Sequence, residues 1–459
     1  MTTEHPGCRF LWRFAVLVTA ATALEAALAC TLLPHPGAPG TAHPSVLVQS
    51  GGDGGTPNGA PGSEEIGLIG FAGRVIDSKK PKLTAYFESE SYAPGASAQL
   101  VIADTAPGVS LRVFRTGGES RPTIPNDVML GTAVGHTIWI GAVRGQRIVS
   151  VHLGDWPSGV YFAQLTCGDR VGYAPFILRP EYLGEHRIAV VIPTQTWQAY
   201  NFRDDDGDGR ADTWYTWRTS HARLIRAFLD RGVPPHWKSY DAPFVRWITH
   251  SPWKVDYLSD AELRAVPDGR VLADAYTLMI FEGHHEYVTT HEYDVVTQYR
   301  DLGGNLAFLS ANNFFWKITL DATMMTRMAE WRSLGRPEAA LIGVQYRAND
   351  EGTHQGPWLL RDTVSTPWLF GGTELAPSDP IASGGIEIDH TAPSSPRGVH
   401  VIAEIPDLFG PGYTAQMTYY ETKGGAKVFA AGAFELAGTP ADPAVSALLT
   451  NLLTKLSTP

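Results

Sequence analysis

The chain has 459 residues, 36 basic against 47 acidic side chains and a net charge of −11, with 44% hydrophobic residues. It is long enough for two or three domains, and too acidic for a nucleic-acid partner, which needs a basic stripe along a phosphate backbone. Three cysteines, Cys8, Cys30 and Cys167, exclude a disulfide framework and a cysteine-rich zinc site.

In chain order, Arg9 and Arg13 precede the apolar run FAVLVTAATALEAALA at 14–29. A positive flank, an apolar stretch and a small-residue ending read as a signal peptide or membrane anchor over residues 1–29. Cleavage after Ala29 leaves Cys30 first, as in a bacterial lipoprotein, although Ala27 stands where leucine is usual. The expectation is an exported protein, secreted or tethered to the outer face of a bacterial membrane; a mis-set start would leave it cytoplasmic. Residues 30–67 contain SGGDGGTPNGAPG and read as a flexible linker.

From 68 to 180 the runs KLTAYFE, ASAQLVIAD, VSLRVFR, HTIWIG, RIVSVHL, VYFAQLTC and YAPFILR alternate between turn signals such as SYAPGA and WPSG. Six or seven such strands predict a β-sandwich. Cys167 falls in it as a small hydrophobe.

At 187 the pattern changes. RIAVVIPT and YTLMIFEG are continuous apolar runs, as in strands buried on both faces. The spacing predicts helices in SHARLIRAFLDRG (220–232), in SDAELRAV capped by Ser259, and in HEYDVVTQYRDLGG. NLAFLSANN and AKVFAAGAF read as strands, and DPAVSALLTNLLTKLS as a closing helix entered through Asp442 and Pro443. This βα alternation predicts a three-layer α/β domain over 187–459, and so an α+β multidomain chain. The glycine stretch ASGGIEIDH (382–390) reads as loop. No glycine-rich fingerprint follows the strand at 187, so no nucleotide cofactor is expected, and no serine-hydrolase elbow is present.

Ligands of open α/β sheets bind beyond the carboxyl ends of the strands. Three consecutive strand ends carry reactive cargo: QTWQAYN, HHEY and ANNFFW, containing Tyr200, His284, His285, Glu286, Tyr287, Asn312 and Asn313. Oxygen and imidazole donors without thiolate suit a hard or borderline metal.

With WPSGVYFAQL, VVIPTQTWQAYN, FEGHHEYVT, LGGNLAFLSANNFFW and GGAKVFAAGAF, the chain resembles the large-subunit (beta-subunit) family of N,N-dimethylformamidase over about residues 80 to 440. The resemblance implies a β-sandwich followed by a flavodoxin- or glutamine-amidotransferase-like α/β domain, with a ferric ion held by two tyrosines and a glutamate. It assigns Glu286 and Tyr200 as ligands, Tyr161 as the second tyrosine, His284 as an outer base, Asn312 as a substrate-side amide and Glu421 as a later glutamate beside the site. The implied reaction is cleavage of the C–N bond of a small or N-substituted amide through a water activated by Fe(III). The sequence departs from the family at His285, where proline is usual, and in the acidic insertion after QAYN. Homo-oligomers and a small partner subunit are both compatible with the chain. The alternative reading is a non-catalytic secreted or surface protein on the same fold, recognising a glycan through its tryptophans. A glutamine-amidotransferase relative is a poor fit, because the strand end that would need a nucleophilic cysteine has none.

The acidic insertion RDDDGDGRAD (203–212) places Asp204, Asp206, Asp208 and Asp212 at positions one, three, five and nine of a calcium loop. Gly209 stands sixth and the Arg210 carbonyl seventh. Tyr215 occupies the twelfth position, where glutamate is usual. A structural Ca²⁺, separate from the catalytic metal, is expected there.

Overall fold

The computed structural model describes residues 80–458 apart from Trp217. The signal or anchor segment, the linker and the first residues of the expected sandwich lie outside the described residues. Among the described residues, no helix is long and apolar enough to cross a membrane.

The chain is α+β, with several sheets. Its N-terminal part holds β1 (Ala85–Phe87), β2 (Ser91–Tyr92), β3 (Ser97–Ile102), β4 (Ala106–Arg115), β5 (Thr132–Val143), β6 (Arg147–His152), β7 (Gly159–Cys167) and β8 (Arg170–Leu178). They form a three-stranded sheet, β1-β3-β6, and a five-stranded one, β2-β8-β7-β4-β5. One apolar core joins Leu100 and Val151 of the first sheet to Leu111, Tyr161 and Phe176 of the second. Strand alternation divides β7 between two cores. Tyr161, Ala163 and Leu165 enter this one, while Val160 and Phe162 face the following α/β part.

That part contains β9 (Ile188–Ile192), α1 (Thr194–Ala199), β10 (His221–Arg223), α2 (Trp237–Tyr240), α3 (Ala242–Thr249), β11 (Asp256–Ser259), α4 (Asp260–Ala265), α5 (Gly269–Ala275), β12 (Leu278–Phe281), β13 (Tyr287–Thr289), α6 (Thr290–Asp301) and β14 (Asn305–Phe308). There follow β15 (Trp316–Asp321), β16 (Met324–Glu330), α7 (Ala339–Ile342), β17 (Gln345–Asn349), β18 (Gln355–Leu360), β19 (Pro380–His390), β20 (His400–Ile405), β21 (Ala415–Glu421), β22 (Lys427–Ala430), β23 (Ala433–Phe434) and α8 (Pro443–Leu456).

The main sheet has the order β11-β9-β12-β14-β22-β21-β20-β18-β19-β17, with β23 on β19. It is parallel from β11 to β22 and antiparallel beyond, so the sheet is mixed. The parallel strands read as continuous apolar runs because both faces are buried. Val190, Ile280 and Ala307 pack with Leu448 and Leu452 of α8 on one side; Val191, Met279 and Phe308 pack with Val295 and Tyr299 of α6 on the other. Ser259 caps α4 and Thr289 caps α6, each in a reciprocal capping box with the glutamate at N3.

Two local expectations fail. The segment 220–232 is not a helix: His221–Arg223 form β10, paired with β16, and the rest is bend and turn. Ala222 and Leu224, two apart, both enter a cluster with Trp214, Tyr215 and Tyr287, and this packing overrides the helical spacing. The stretch 382–390 is part of β19, not loop. Its alternation was hidden by two glycines and by a bulge between Gly385 and Ile388, where Ile386 takes φ 66°.

Candidate metal centre

Three loops leave the carboxyl ends of β9, β12 and β14 and are tied to one another by main-chain and side-chain hydrogen bonds. Glu286 N donates to Thr196 Oγ1 (3.1 Å), His285 N to Asn313 Oδ1 (3.1 Å) and Trp316 N to Glu286 O (2.9 Å). A buried ionic network holds the base of the first loop, where Gln195 N donates to Asp260 Oδ2 (2.7 Å) and Gln195 Nε2 to Glu292 Oε1 (2.6 Å). Arg264 pairs with Glu90 and Glu292, joining the N-terminal sheets to the same point.

On this frame Tyr200, at the end of α1, donates its hydroxyl to Glu286 Oε2 at 2.7 Å. Tyr215 Oη lies 3.4 Å from the same oxygen and in direct contact with Tyr287 Oη. The Trp214 indole N–H donates to Tyr287 Oη at 3.4 Å. Tyr215 is held by packing, since it sits in the cluster that β10, β13, β15 and β16 close. His284 Nε2 is 3.5 Å from Glu286 Oε2 and 3.6 Å from Glu387 Oε2. The Asn312 main chain hydrogen-bonds His284, and Nε2 is left without a hydrogen-bond partner. Asn312 itself has φ 52°, its N–H donates to Asp389 Oδ1 (2.9 Å), and its Oδ1 also lacks a partner.

Burial sets the protonation states. It raises the Tyr200 phenol well above 10, with the Glu286 carboxylate adding to the effect. It holds the His284 imidazole well below 6.5, helped by His285 and His236. His285 is pushed down to about 3 by burial; its Nε2 faces Val191 O at 3.1 Å and its ring edge meets Phe281, so it braces the loop. A cavity of about 170 Å³ opens beside Tyr200, His284 and Glu387, walled also by Trp197, Tyr240 and Phe434.

Two assigned residues lie elsewhere. Tyr161 is in the core of the N-terminal sheets, stacked between Trp156 and Phe176, with its hydroxyl donated to Pro157 O at 2.7 Å. The pleat of β7 turns it away from the α/β part, and Tyr215 is the tyrosine beside Glu286. Glu421 is exposed, accepts from Tyr419 Oη (2.6 Å) and pairs in register with Lys427. Because β22 runs parallel to β14, that register puts Glu421 at the opposite end of the sheet from Glu286. The carboxylate that reaches His284 is Glu387, from the bulged strand that read as loop. The one sequence signal for Tyr215 was the aromatic density of TWYTW after the acidic insertion.

Among the described residues, two groups of potential metal ligands fall outside this centre: Glu185, His186 and Asp256, and Asp204, Asp206 and Asp208. In the first, Asp256 accepts from the Gly184 and His186 amides and approaches the His186 ring at 2.8 Å, which locks the turn before β9. In the second, Asp204 accepts from Gly207 N (2.6 Å) and Gly209 N (2.7 Å), Asp206 from Asp208 N (3.0 Å), and Asp208 from Arg210 N (2.9 Å). Asp208 also pairs with Arg218, and Asp212 Oδ2 accepts from Asp205 N (2.6 Å). Arg226 bridges this loop to the Tyr200 turn, reaching Asp205 Oδ2 (3.1 Å) and Asn201 O (2.7 Å).

The C-terminal region of the N,N-dimethylformamidase beta subunit-like family matches residues 148–439. No curated protein matches the chain. Among solved structures, a Paenibacillus cycloisomaltooligosaccharide glucanotransferase matches with 14% identity and TM-score 0.16, over 24% of this chain and 16% of that one. The superoxide reductase of Ignicoccus hospitalis matches with 15% identity and TM-score 0.15, over 22% and 82%. A carbohydrate acetylesterase from Xanthomonas citri matches with 9% identity and TM-score 0.15, over 51% and 61%. At such scores these structures lend no fold to the chain.

Proposed function

The chain belongs to the N,N-dimethylformamidase beta subunit-like family, and from that premise we propose that it is an iron-dependent amidohydrolase cleaving the C–N bond of a small or N-substituted amide. The observation that carries this reading is the convergence of the Tyr200 and Tyr215 hydroxyls on Glu286 Oε2, beside an uncommitted His284 Nε2 and an open cavity.

The donor set fits Fe(III). Oxygens bound to one cation at ~2.0–2.2 Å lie roughly 3 Å apart, and Tyr200 and Tyr215 lie 2.7 and 3.4 Å from the Glu286 oxygen. Two phenolates and a carboxylate balance a trivalent charge. Burial holds Tyr200 protonated, so only a strongly polarising cation displaces its proton. When bound, such a cation polarises an amide carbonyl and acidifies water.

The remaining steps fall to side chains. His284, neutral and fixed from the Asn312 main chain, takes the proton of the attacking water at Nε2 and returns it to the leaving nitrogen. Glu387, across from Glu286, stabilises the imidazolium while it exists. The Asn312 amide offers a hydrogen bond to the substrate. Trp197, Tyr240 and Phe434 give the cavity apolar walls against which the substituents of the amide can pack.

We assign the Asp204–Asp208 loop a structural Ca²⁺, with its carboxylates spaced at odd positions and the loop linked to Tyr200 through Arg226. An exported setting, which residues 1–29 suggest, supplies millimolar calcium. The test of the main reading is metal analysis, visible absorption and amine release from simple amides, on protein made with iron supplied. A colourless, iron-free, inactive preparation rejects it in favour of a binding protein on the same fold.

A further inference from the structure

The cavity has a second, chemically separate wall. Asp241 faces it from the junction of α2 and α3, buried to 1% exposure. Although it stands at the N-terminus of α3, its carboxyl makes no capping hydrogen bond. Behind it is Glu282, fully buried at the end of β12, and the two carboxyls interact directly. The Trp197 indole N–H approaches the Asp241 carboxyl and the two carboxyls approach each other, but Asp241 Oδ1 and both Glu282 oxygens make no well-aligned hydrogen bond. Gly283 makes the approach feasible, since a Cβ there would meet Asp241 Oδ1 at 2.8 Å and Pro193 Cγ at 3.1 Å.

Burying two acids with a single indole N–H as outside donor is costly, and in native structures such groups mark a role. Burial raises Asp241 to about 8 and Glu282 well above its ordinary range, so the pair holds its protons at neutral pH and gives one up to bind a cation. Among the described residues, no lysine or arginine lines the cavity. Glu351 and Glu387 add carboxylates, and Trp197, Tyr240 and Phe434 supply aromatic walls. Acidic groups set among aromatic rings suit a cation with apolar substituents. The volume, about 170 Å³, exceeds the ~150 Å³ of an engineered cavity that takes benzene, which leaves room for a four-carbon ammonium ion.

We propose that the Asp241–Glu282 pair is a subsite for a substituted ammonium group, and that the cavity accepts amides carrying an aminoalkyl arm. The amide half rests on the amidohydrolase reading; the ammonium subsite stands without it.

Titration calorimetry of the full chain with n-butylammonium chloride and with 1-butanol tests the subsite. The ammonium ion is expected to bind about tenfold more tightly or better, with a heat that varies with the ionisation enthalpy of the buffer because a proton is released. Asp241→Asn keeps the shape and removes the charge, and should erase the preference; Glu282→Gln serves the same purpose if the first variant does not fold. Equal affinities in the unmodified protein overturn the subsite, as does a preference that survives both substitutions. Turnover separates the two readings. If neither N-butylacetamide nor N-(4-aminobutyl)acetamide is hydrolysed while the ammonium preference persists, the amidohydrolase reading fails and the subsite stands. Equal turnover of both amides supports the hydrolase and rejects the subsite as a substrate determinant.

Discussion

Tyr200 and Glu286 stand 86 residues apart, on the loops after β9 and β12, and meet through a 2.7 Å hydrogen bond from phenol to carboxylate. The phenol is buried beside a carboxylate, so its proton can be replaced at that point only by another positive charge. Tyr215 approaches the same oxygen.

Replacement of the tyrosines separates the two candidate second ligands. Tyr200→Phe and Tyr215→Phe should each bleach or shift a ferric–phenolate band in the visible spectrum and lower the bound iron, and Glu286→Ala should release it. Tyr161→Phe should leave the spectrum unchanged and cost about 1 kcal/mol of stability through the lost bond to Pro157. A band that disappears with Tyr161→Phe and survives Tyr215→Phe would restore Tyr161 as the ligand.

The two later glutamates should also diverge. Glu387→Gln removes the carboxylate beside His284 and is expected to lower kcat by roughly 10–100-fold, the usual cost of losing a group that supports a metal site. Glu421→Ala, at the far end of the sheet, should leave kcat unchanged. Equal losses in steady-state assays would contradict this placement.

Calcium should stabilise the fold through the acidic loop. With Ca²⁺ at about a hundred times its Kd the gain is ~2.7 kcal/mol, so EDTA should lower Tm, and Asp206→Ala should abolish the calcium-dependent part. Arg218 already neutralises part of Asp208, so the metal-free loop should remain folded. An unchanged melting curve across the calcium range, in protein shown to start calcium-free, would reduce the stretch to an acidic turn.

Asp389 gives a pH signature. Burial pushes its carboxyl up to about 7 from the ordinary 3.8, against the Asn312 amide that hydrogen-bonds it. Between these values the unfolded chain has released the proton and the folded chain holds it. Its stability contribution therefore falls as pH rises from about 4 to about 7 and stays lost above. Asp389→Asn keeps the acceptor for Asn312 and removes the titration. It should raise stability at pH 8 by on the order of a few kcal/mol and by little at pH 4, as read from denaturant melts. A difference independent of pH would show that the carboxyl does not titrate in this window.

Much of the candidate site was legible because its causes are local. Continuous apolar runs mark strands buried on both faces, and the polar groups that follow them, Tyr200, His284, Glu286 and Asn312, belong to the ends of β9, β12 and β14. Caps such as Ser259 and Asp442 were legible for the same reason, since a cap and its helix are neighbours in the chain. What the tertiary structure alone decided is which distant side chains complete the set. A period of two shows that Tyr161 and Phe162 face opposite ways, but only packing of the N-terminal sheets decides that Tyr161 faces inward. Tyr215 reaches Glu286 because β10 pairs with β16 instead of forming a helix. Glu387 reaches His284 because a bulged, glycine-rich strand joins the sheet late in the chain. Pleat direction, strand partner and bulge placement are settled by contacts between segments far apart in sequence, where local periodicity carries no information.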